Sequence, residues 1–219
     1  MPHRKPGTSC RGLVRLLRGR LYIVLMSKSA RRKNISNARV LSSREVYRGP
    51  VFYVSTDQVL EPGGIRARRD IVHHSGSVVI LAVDETRGQT RVLLERQYRH
   101  AAQSFLWELP AGRVDDDESD LAGAKRELLE ETGYRAARWR RMLKFYASPG
   151  FLDETMALYL ARSLKAGKAQ PEEDELIHRR LVLLSTALRM VLRGTIRDGK
   201  TISAVLWLAW HESAGKPLK

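Results

Sequence analysis

The hydrophobic pattern changes period along the chain, and the changes divide it. SVVILAVD, from Ser77 to Asp84, is apolar at almost every position, which suits a strand buried on both faces. ETRGQT turns the chain, and RVLLERQYRH returns as the neighbouring strand. Upstream, REVYRG, VFYVSTDQVL and IRARRDIVHH read as three strands, with EPGG at 61–64 as a turn. About thirty residues of antiparallel sheet cannot stand alone, so this piece must pack on the main domain or on a second subunit. FLWELPAG leads into an acidic stretch in which Leu121, Ala124 and Leu128 recur at helical spacing. Downstream, WRRMLKFYAS, TMALYLARSL and HRRLVLLS predict further strands. TALRMVLRG predicts a helix ended by Gly194, and TISAVLWLAWHES a final helix with Trp207 and Trp210 in the core. The expected class is α+β: a mixed sheet layered between helices, α/β/α, with a small N-terminal antiparallel three-strand sheet. Three regions follow: an arm over 1–44, the small sheet over 45–75 and the main domain over 76–214.

Composition changes this picture mainly at the N-terminus. The chain has 219 residues, 43% hydrophobic and 29% charged, enough for a substantial core with an appendage. Its net charge is +15, but residues 1–44 hold 12 Lys and Arg and no Asp or Glu. The remainder carries 39 − 12 = 27 basic and 24 acidic residues, so the body is close to neutral. The arm reads as a disordered or weakly helical extension, as an upstream start with Met26 as the alternative first residue and an ordinary polar lead-in after it, or as a contact for nucleic acid or an anionic membrane. Its longest apolar run, LYIVLM, is too short for a signal-peptide core. No run reaches the length of a membrane span, and no internal repeat is found. The single cysteine, Cys10, cannot form an intramolecular disulfide, which favours a reducing, cytoplasmic setting.

The candidate chemistry lies in GRVDDDESDLAGAKRELLEETGY, Gly112 to Tyr134. On a helix Glu127, Glu130 and Glu131 stand at i, i+3 and i+4 and share one face. Their repulsion destabilises a bare helix, and a hard divalent cation with oxygen ligands removes that cost. Asp117 or Ser119 can cap the helix start, and Gly133 suits its end. A solvated acidic face would explain three glutamates alone. It does not explain a glycine, an outlying Glu118, the Arg126-Glu127 pair and a closing glycine at fixed offsets.

These positions resemble the Nudix box, G-x5-E-x7-R-E-U-x-E-E-x-G-U, where U is aliphatic. Every fixed position matches, and only the last U departs, being Tyr134, a packing position. ELPAGRVDDDE before the box, ASPGFLDE after it with Pro149, the three-strand lead-in and the ending GTIRDGKT…LW are similar to the ADP-ribose pyrophosphatase subfamily. The likeness runs from about Glu45 to Trp210.

This resemblance implies the Nudix fold and a Mg²⁺-dependent hydrolase, with Mn²⁺ as a substitute, that splits ADP-ribose into AMP and ribose 5-phosphate. It implies Glu127 and Glu131 as metal ligands, Glu130 as helper and the backbone carbonyl of Ala111 completing the set. Glu118 then binds a second metal or braces the loop. Arg126 orients the glutamates through salt bridges rather than touching substrate. The base falls in the acidic loop PEEDELIHRR, at Glu173 with Glu175 second. Arg99 resembles a phosphate-facing arginine, Arg69 a base- or phosphate-contacting one, and Glu154 a contact to the terminal ribose. His73 and His74 point to opposite faces of a strand end and are read as structural, and Tyr53 either stacks on a base or joins the core. The subfamily also implies a homodimer in which the small sheet completes the partner's site. Two alternatives stay open. One is hydrolysis of another nucleoside diphosphate sugar, such as GDP-mannose or ADP-glucose. The other is a regulatory protein that binds ADP-ribose and places its arm on nucleic acid, against which the full set of glutamates argues.

Overall fold

The computed structural model describes residues 13–17, 20–24, 38–86, 88–167 and 178–214, the first two stretches by backbone alone. Within the arm, β1 (Leu13–Leu17) and β2 (Arg20–Val24) pair antiparallel, where a disordered or weakly helical extension was expected. The small sheet is β3 (Arg39–Arg48), β4 (Tyr53–Glu61) and β5 (Ile65–His73), in that order and antiparallel throughout. It starts at Arg39, so 39–44 belong to the sheet rather than to the arm. VLSS alternates weakly and hides this start, but Arg39 pairs with Leu60 across the ladder.

The main sheet begins with β6 (Ser77–Asp84) and β7 (Arg91–Arg99), followed by two short strands, β8 (Ser104–Glu108) and β9 (Ala111–Arg113). Helix α1 (Asp120–Thr132) comes next, then β10 (Tyr134–Tyr146), β11 (Thr155–Ala166) and β12 (His178–Leu183). Helices α2 (Leu184–Leu192) and α3 (Gly199–Ser213) close the described chain. The strand order is β10-β11-β6-β7-β12, with β8 on β7 and β9 on β6; β11 and β6 run parallel, the other pairs antiparallel. Among the described residues no helix is long and apolar enough to cross a membrane.

The run at 77–84 explains the layering. Val78, Ile80 and Ala82 join Leu93, Ala124 and Leu128 under α1, while Val79, Leu81 and Val83 join Leu94, Leu158, Ala204 and Leu208 under α2 and α3. Alternate residues feed opposite cores, so no polar position is needed between them. Leu128 is fully buried, and burial of such a side chain contributes about 2 kcal/mol. Trp207 packs against the second core, but Trp210 is 56% exposed, against the expectation that both are core.

The position of the site follows from a splay. β6 and β7 pair only beside their turn, at Val83–Val92 and Asp84–Arg91. Beyond that point β7 pairs with β8 and β6 with β9. The link between the two short strands is fixed from both sides: Leu109 N–H donates to Thr201 Oγ1 at 2.8 Å, and Ile80 N–H donates to Pro110 O at 2.8 Å. β9 therefore lies beside α1. The small sheet is tied in by a parallel bridge between Val72 and Leu152 and by Arg113 donating to Pro50 O at 3.2 Å.

Candidate active site

The acidic helix has the ends its sequence predicts. Ser119, not Asp117, is the N-cap, its hydroxyl accepting from Ala122 N–H at 3.2 Å. Gly133 ends it in the left-handed region at φ 71°. Tyr134, the one departure from the motif, opens β10 and packs partly buried against the core below α1.

Arg126 organises the carboxylates. Its Nε and Nη2 grip Glu118 at 3.2 and 2.9 Å, its Nη1 reaches Glu127 at 2.7 Å and Glu130 at 3.0 Å, and Nη2 also donates to Arg113 O at 2.9 Å. The fork of a guanidinium can serve several acceptors at once. The bond to Glu118 is the largest cause of a raised Arg126 pKa, and the same bond holds Glu118 below the ordinary carboxylate range. Glu131 is 4% exposed and accepts from Ala111 N–H at 3.1 Å, which locks the helix to β9.

Two glycines make room for these side chains. A Cβ on Gly112 would overlap the Glu127 carboxylate, and one on Gly123 would meet Glu118 Oε2 at 2.9 Å. The fixed glycine at the head of the motif thus lets a carboxylate lie against backbone. Among the described residues no three acidic or histidine groups converge tightly enough to enclose a metal by themselves. A hard cation held by one or two carboxylates, with phosphate and water supplying the rest, fits such a donor set.

Beside β9 lies a cavity of about 270 Å³, lined by Arg99, Ala111, Gly112, Glu154 and Lys200 among others. Arg99 does not project freely into it. Its Nε and Nη2 donate to Glu108 at 2.9 and 3.0 Å, and Lys200 Nζ donates to the same carboxylate at 2.5 Å. Burial pushes the Glu108 carboxyl up, but Arg99 and Lys200 outweigh it and hold the group below its usual value. Across the cavity Glu154 accepts from Ser77 Oγ at 2.5 Å, and His74 Nδ1 accepts from Gly76 N–H at 3.0 Å.

A larger cavity of about 570 Å³ adjoins the first, sharing His74 and Arg113 with it. Tyr53 and His73 stack on its wall with ring centroids 4.4 Å apart, and the Arg48 guanidinium lies 4.6 Å from the Tyr53 centroid. His73 bridges Ser55 Oγ at 2.8 Å and Asp153 at 2.6 Å, so it ties the small sheet to the loop after β10. Asp115 and Asp116 also line this cavity.

The structure therefore brings Ala111, Glu118, Arg126, Glu127, Glu130 and Glu131 to one place, with Arg99 and Glu154 in the adjoining cavity. Arg69 is not brought there. It pairs with Glu61 at 2.6 Å on the small sheet, stands opposite Asp57 in the ladder and lines neither cavity. Glu173 and Glu175 lie outside the described residues. Reading the sequence missed Glu108, Lys200 and the cavity position of His74. The signals were present in ELPAG, in DGKT and in the paired histidines, but only contacts across the fold reveal them.

Comparison with known proteins agrees with this geometry. A family model described as the NUDIX domain matches residues 73–205. Two relatives, a methanol dehydrogenase activator of Bacillus methanolicus and an ADP-ribose pyrophosphatase of Bacillus subtilis, are each 32% identical over 177 residues, covering 80% of this chain and 94% of theirs. An ADP-ribose pyrophosphatase of Mycobacterium tuberculosis is 37% identical over 169 residues, covering 76% of this chain and 80% of its own. In fold, the chain is similar to a solved structure titled as an ADP compounds hydrolase, with a TM-score of 0.71, 20% identity, and coverage of 84% of this chain and 99% of that one.

Proposed function

The chain belongs to the Nudix family, and from that premise we propose that it hydrolyses the pyrophosphate bond of ADP-ribose to AMP and ribose 5-phosphate. The observation that carries the reading is adjacency. The acidic face of α1 and a cation-lined cavity of phosphate scale share the Ala111-Gly112 backbone, and an aromatic-walled cavity of about 570 Å³ continues from it. The ADP-ribose pyrophosphatases among its relatives support the substrate.

The reaction adds water oxygen to one phosphorus and breaks that atom's bond to the bridging oxygen. One proton passes from the water to a base. Glu127 and Glu131, with Glu130 and the Ala111 carbonyl, would hold Mg²⁺, or Mn²⁺ in its place. When bound, such a cation neutralises phosphate charge and lowers the pKa of a bound water. Arg126 keeps the carboxylates apart and aimed, and its two-bond grip on Glu118 favours a bracing role for that residue. Glu173, with Glu175 second, takes the proton. Arg99 meets phosphate, Glu154 meets the sugar hydroxyls, and the base lies against Tyr53 and His73 in the larger cavity. Arg69 contributes only if a second copy brings it close.

A homodimer is part of this reading, since the small sheet exposes Val40, Val46, Tyr47 and Ile65. Light scattering checks it, and a monomer at working concentration refutes it. The single Cys10 fits a reducing cytoplasm. A different nucleoside diphosphate sugar is the competing substrate. Asp115 and Asp116 on the wall of the larger cavity can accept from the amino group of adenine or of guanine. Hydrolysis rates for ADP-ribose, GDP-mannose and ADP-glucose, measured side by side with Glu131→Gln as the blank, test the choice. A large preference for either of the last two overturns it.

A further inference from the structure

The charges of the body are close to balanced as a whole, but not along one ribbon of the main sheet. β10 holds five Lys and Arg and no Asp or Glu, and β11 adds Arg162 and Lys165, again with no acid. In the ladder Arg135 stands opposite Lys165, and Arg138 opposite Arg162. Like charges directly opposed across two strands destabilise a sheet. Relief is small. Glu85 lies 3.3 Å from Arg162 and 4.0 Å from Arg138, and among the described residues Arg135 and Lys165 have no acidic partner. Between the two pairs Ser163 takes φ 59°, in the left-handed region that residues other than glycine rarely adopt, and its Oγ accepts from Arg138 Nε at 3.1 Å. Charge at a sheet edge can simply keep other strands away, and β10 is such an edge. That purpose does not extend to β11, an interior strand whose cations guard nothing. Two opposed cation pairs, and a strained serine holding one of their members, destabilise the ribbon in a way that an anion lying across it would offset.

We infer that Arg135, Arg138, Arg162 and Lys165 form a docking surface for a nucleic-acid backbone, separate from the catalytic site. Arg135, Arg138 and Lys165 are exposed, while Arg162 is largely covered and anchors the group to Glu85. A guanidinium fork fits phosphate oxygens two at a time. Arg135 and Arg138 stand about 10 Å apart along their strand, which suits a row of phosphates better than one small anion. The arm of the same chain, with 12 Lys and Arg and no acid, matches the same kind of partner. The ribbon offers charge without a helix to enter a groove, so its contacts go to phosphates and carry no sequence preference. Its distance from the substrate cavity is set by β11: Met156 lines that cavity, and Arg162 lies about 20 Å further along the strand.

The test uses the full chain with a short labelled DNA duplex and a labelled single-stranded RNA, followed by fluorescence anisotropy between about 50 and 200 mM salt. The variants are Arg135→Ser/Arg138→Ser/Lys165→Ser, the single change Lys165→Glu, and Arg31→Ser/Arg32→Ser/Lys33→Ser in the arm as a charge-matched control. Each phosphate contact on a duplex contributes about 0.9 to the slope of log K against log salt. The triple ribbon variant should therefore show a slope shallower by about 2 to 3 on the duplex, and by about 2 on the single strand. Lys165→Glu turns one like-charge pair into an opposite-charge pair. It should bind more weakly yet melt higher than wild type, a combination that a purely structural lysine does not give. If the triple variant does not fold, this single change decides. Turnover at the distant catalytic site should match wild type in both. An unchanged salt slope in the ribbon variants overturns the inference, as does loss of binding confined to the arm variant, which assigns the contact to the arm alone. A wild-type chain that binds neither probe at the lowest salt also overturns it. If that chain instead binds phosphatidylserine vesicles and the ribbon variants do not, the surface belongs to a membrane.

Discussion

At the scale of single residues, the site depends on what is absent as much as on what is charged. Gly112 is needed because the Glu127 carboxylate occupies the space its Cβ would fill. Gly112→Ala should leave the fold intact, since the residue lies on a short strand beside a cavity, but it must displace Glu127. A displacement near 1 Å at a reacting centre can cost about a hundredfold in rate. The expected result is a kcat lowered by about that factor with an unaltered circular dichroism spectrum, and wild-type turnover would remove the steric argument. The offsets of the glutamates were legible because a helix repeats every few residues, so spacing alone sets which side chains share a face. The reason for Gly112 was not legible, because the clash joins residues on different elements. The Glu108–Lys200 contact was hidden for the same reason: the two residues lie 92 positions apart and meet only in the folded chain.

At the scale of elements, α1 is held by its two ends as much as by its buried face. Three carboxylates share one side of it, Glu131 buried against β9, and the basic residue that relieves Glu127 and Glu130, Arg126, sits mid-helix rather than at the C-terminus. End contacts therefore carry more weight than usual. Ser119→Ala removes the acceptor for Ala122 N–H and should cost about 1 kcal/mol. Gly133→Ala forces a side chain into the left-handed region at φ 71° and should cost about 1 kcal/mol or more. Urea unfolding measures both, and a loss below a few tenths of a kcal/mol in either variant would show that packing alone holds that end. Which segments were legible follows the strength of their pattern. SVVILAVD and the final helix declared themselves, the first by unbroken apolarity and the second by length. FLWELPAG did not resolve into two strands, because five and three residues carry too little periodicity. β10 was expected to start at Trp139 but begins five residues earlier, since its exposed edge face carries arginines where a strand pattern would show β-branched residues.

At the scale of the whole molecule, charge is arranged so that the catalytic body is held by buried pairs while the excess lies in the arm. The pair at Glu108 joins β7, β8 and α3, so its titration acts on the entire domain. The folded carboxyl lies below the ordinary glutamate value of 4.5, because Arg99 and Lys200 outweigh the effect of burial. As pH falls, the unfolded chain therefore takes up this proton first. Glu108 contributes its full stability above about pH 4.5 and loses it as pH drops through the lowered folded value. Glu118 acts in the same direction, more weakly, because solvent screens its pair with Arg126. Scanning calorimetry should then show a melting temperature that holds near neutrality and falls steeply below about pH 4.5. Glu108→Gln should melt lower than wild type at pH 7, with two cations left facing a neutral amide, yet the gap should narrow in acid as wild-type Glu108 is itself neutralised. Because the pair is buried, the gap at pH 7 should persist in half-molar salt, which largely screens surface pairs. A gap that stays constant with pH would show that Glu108 acts through its shape and hydrogen bonds rather than its charge.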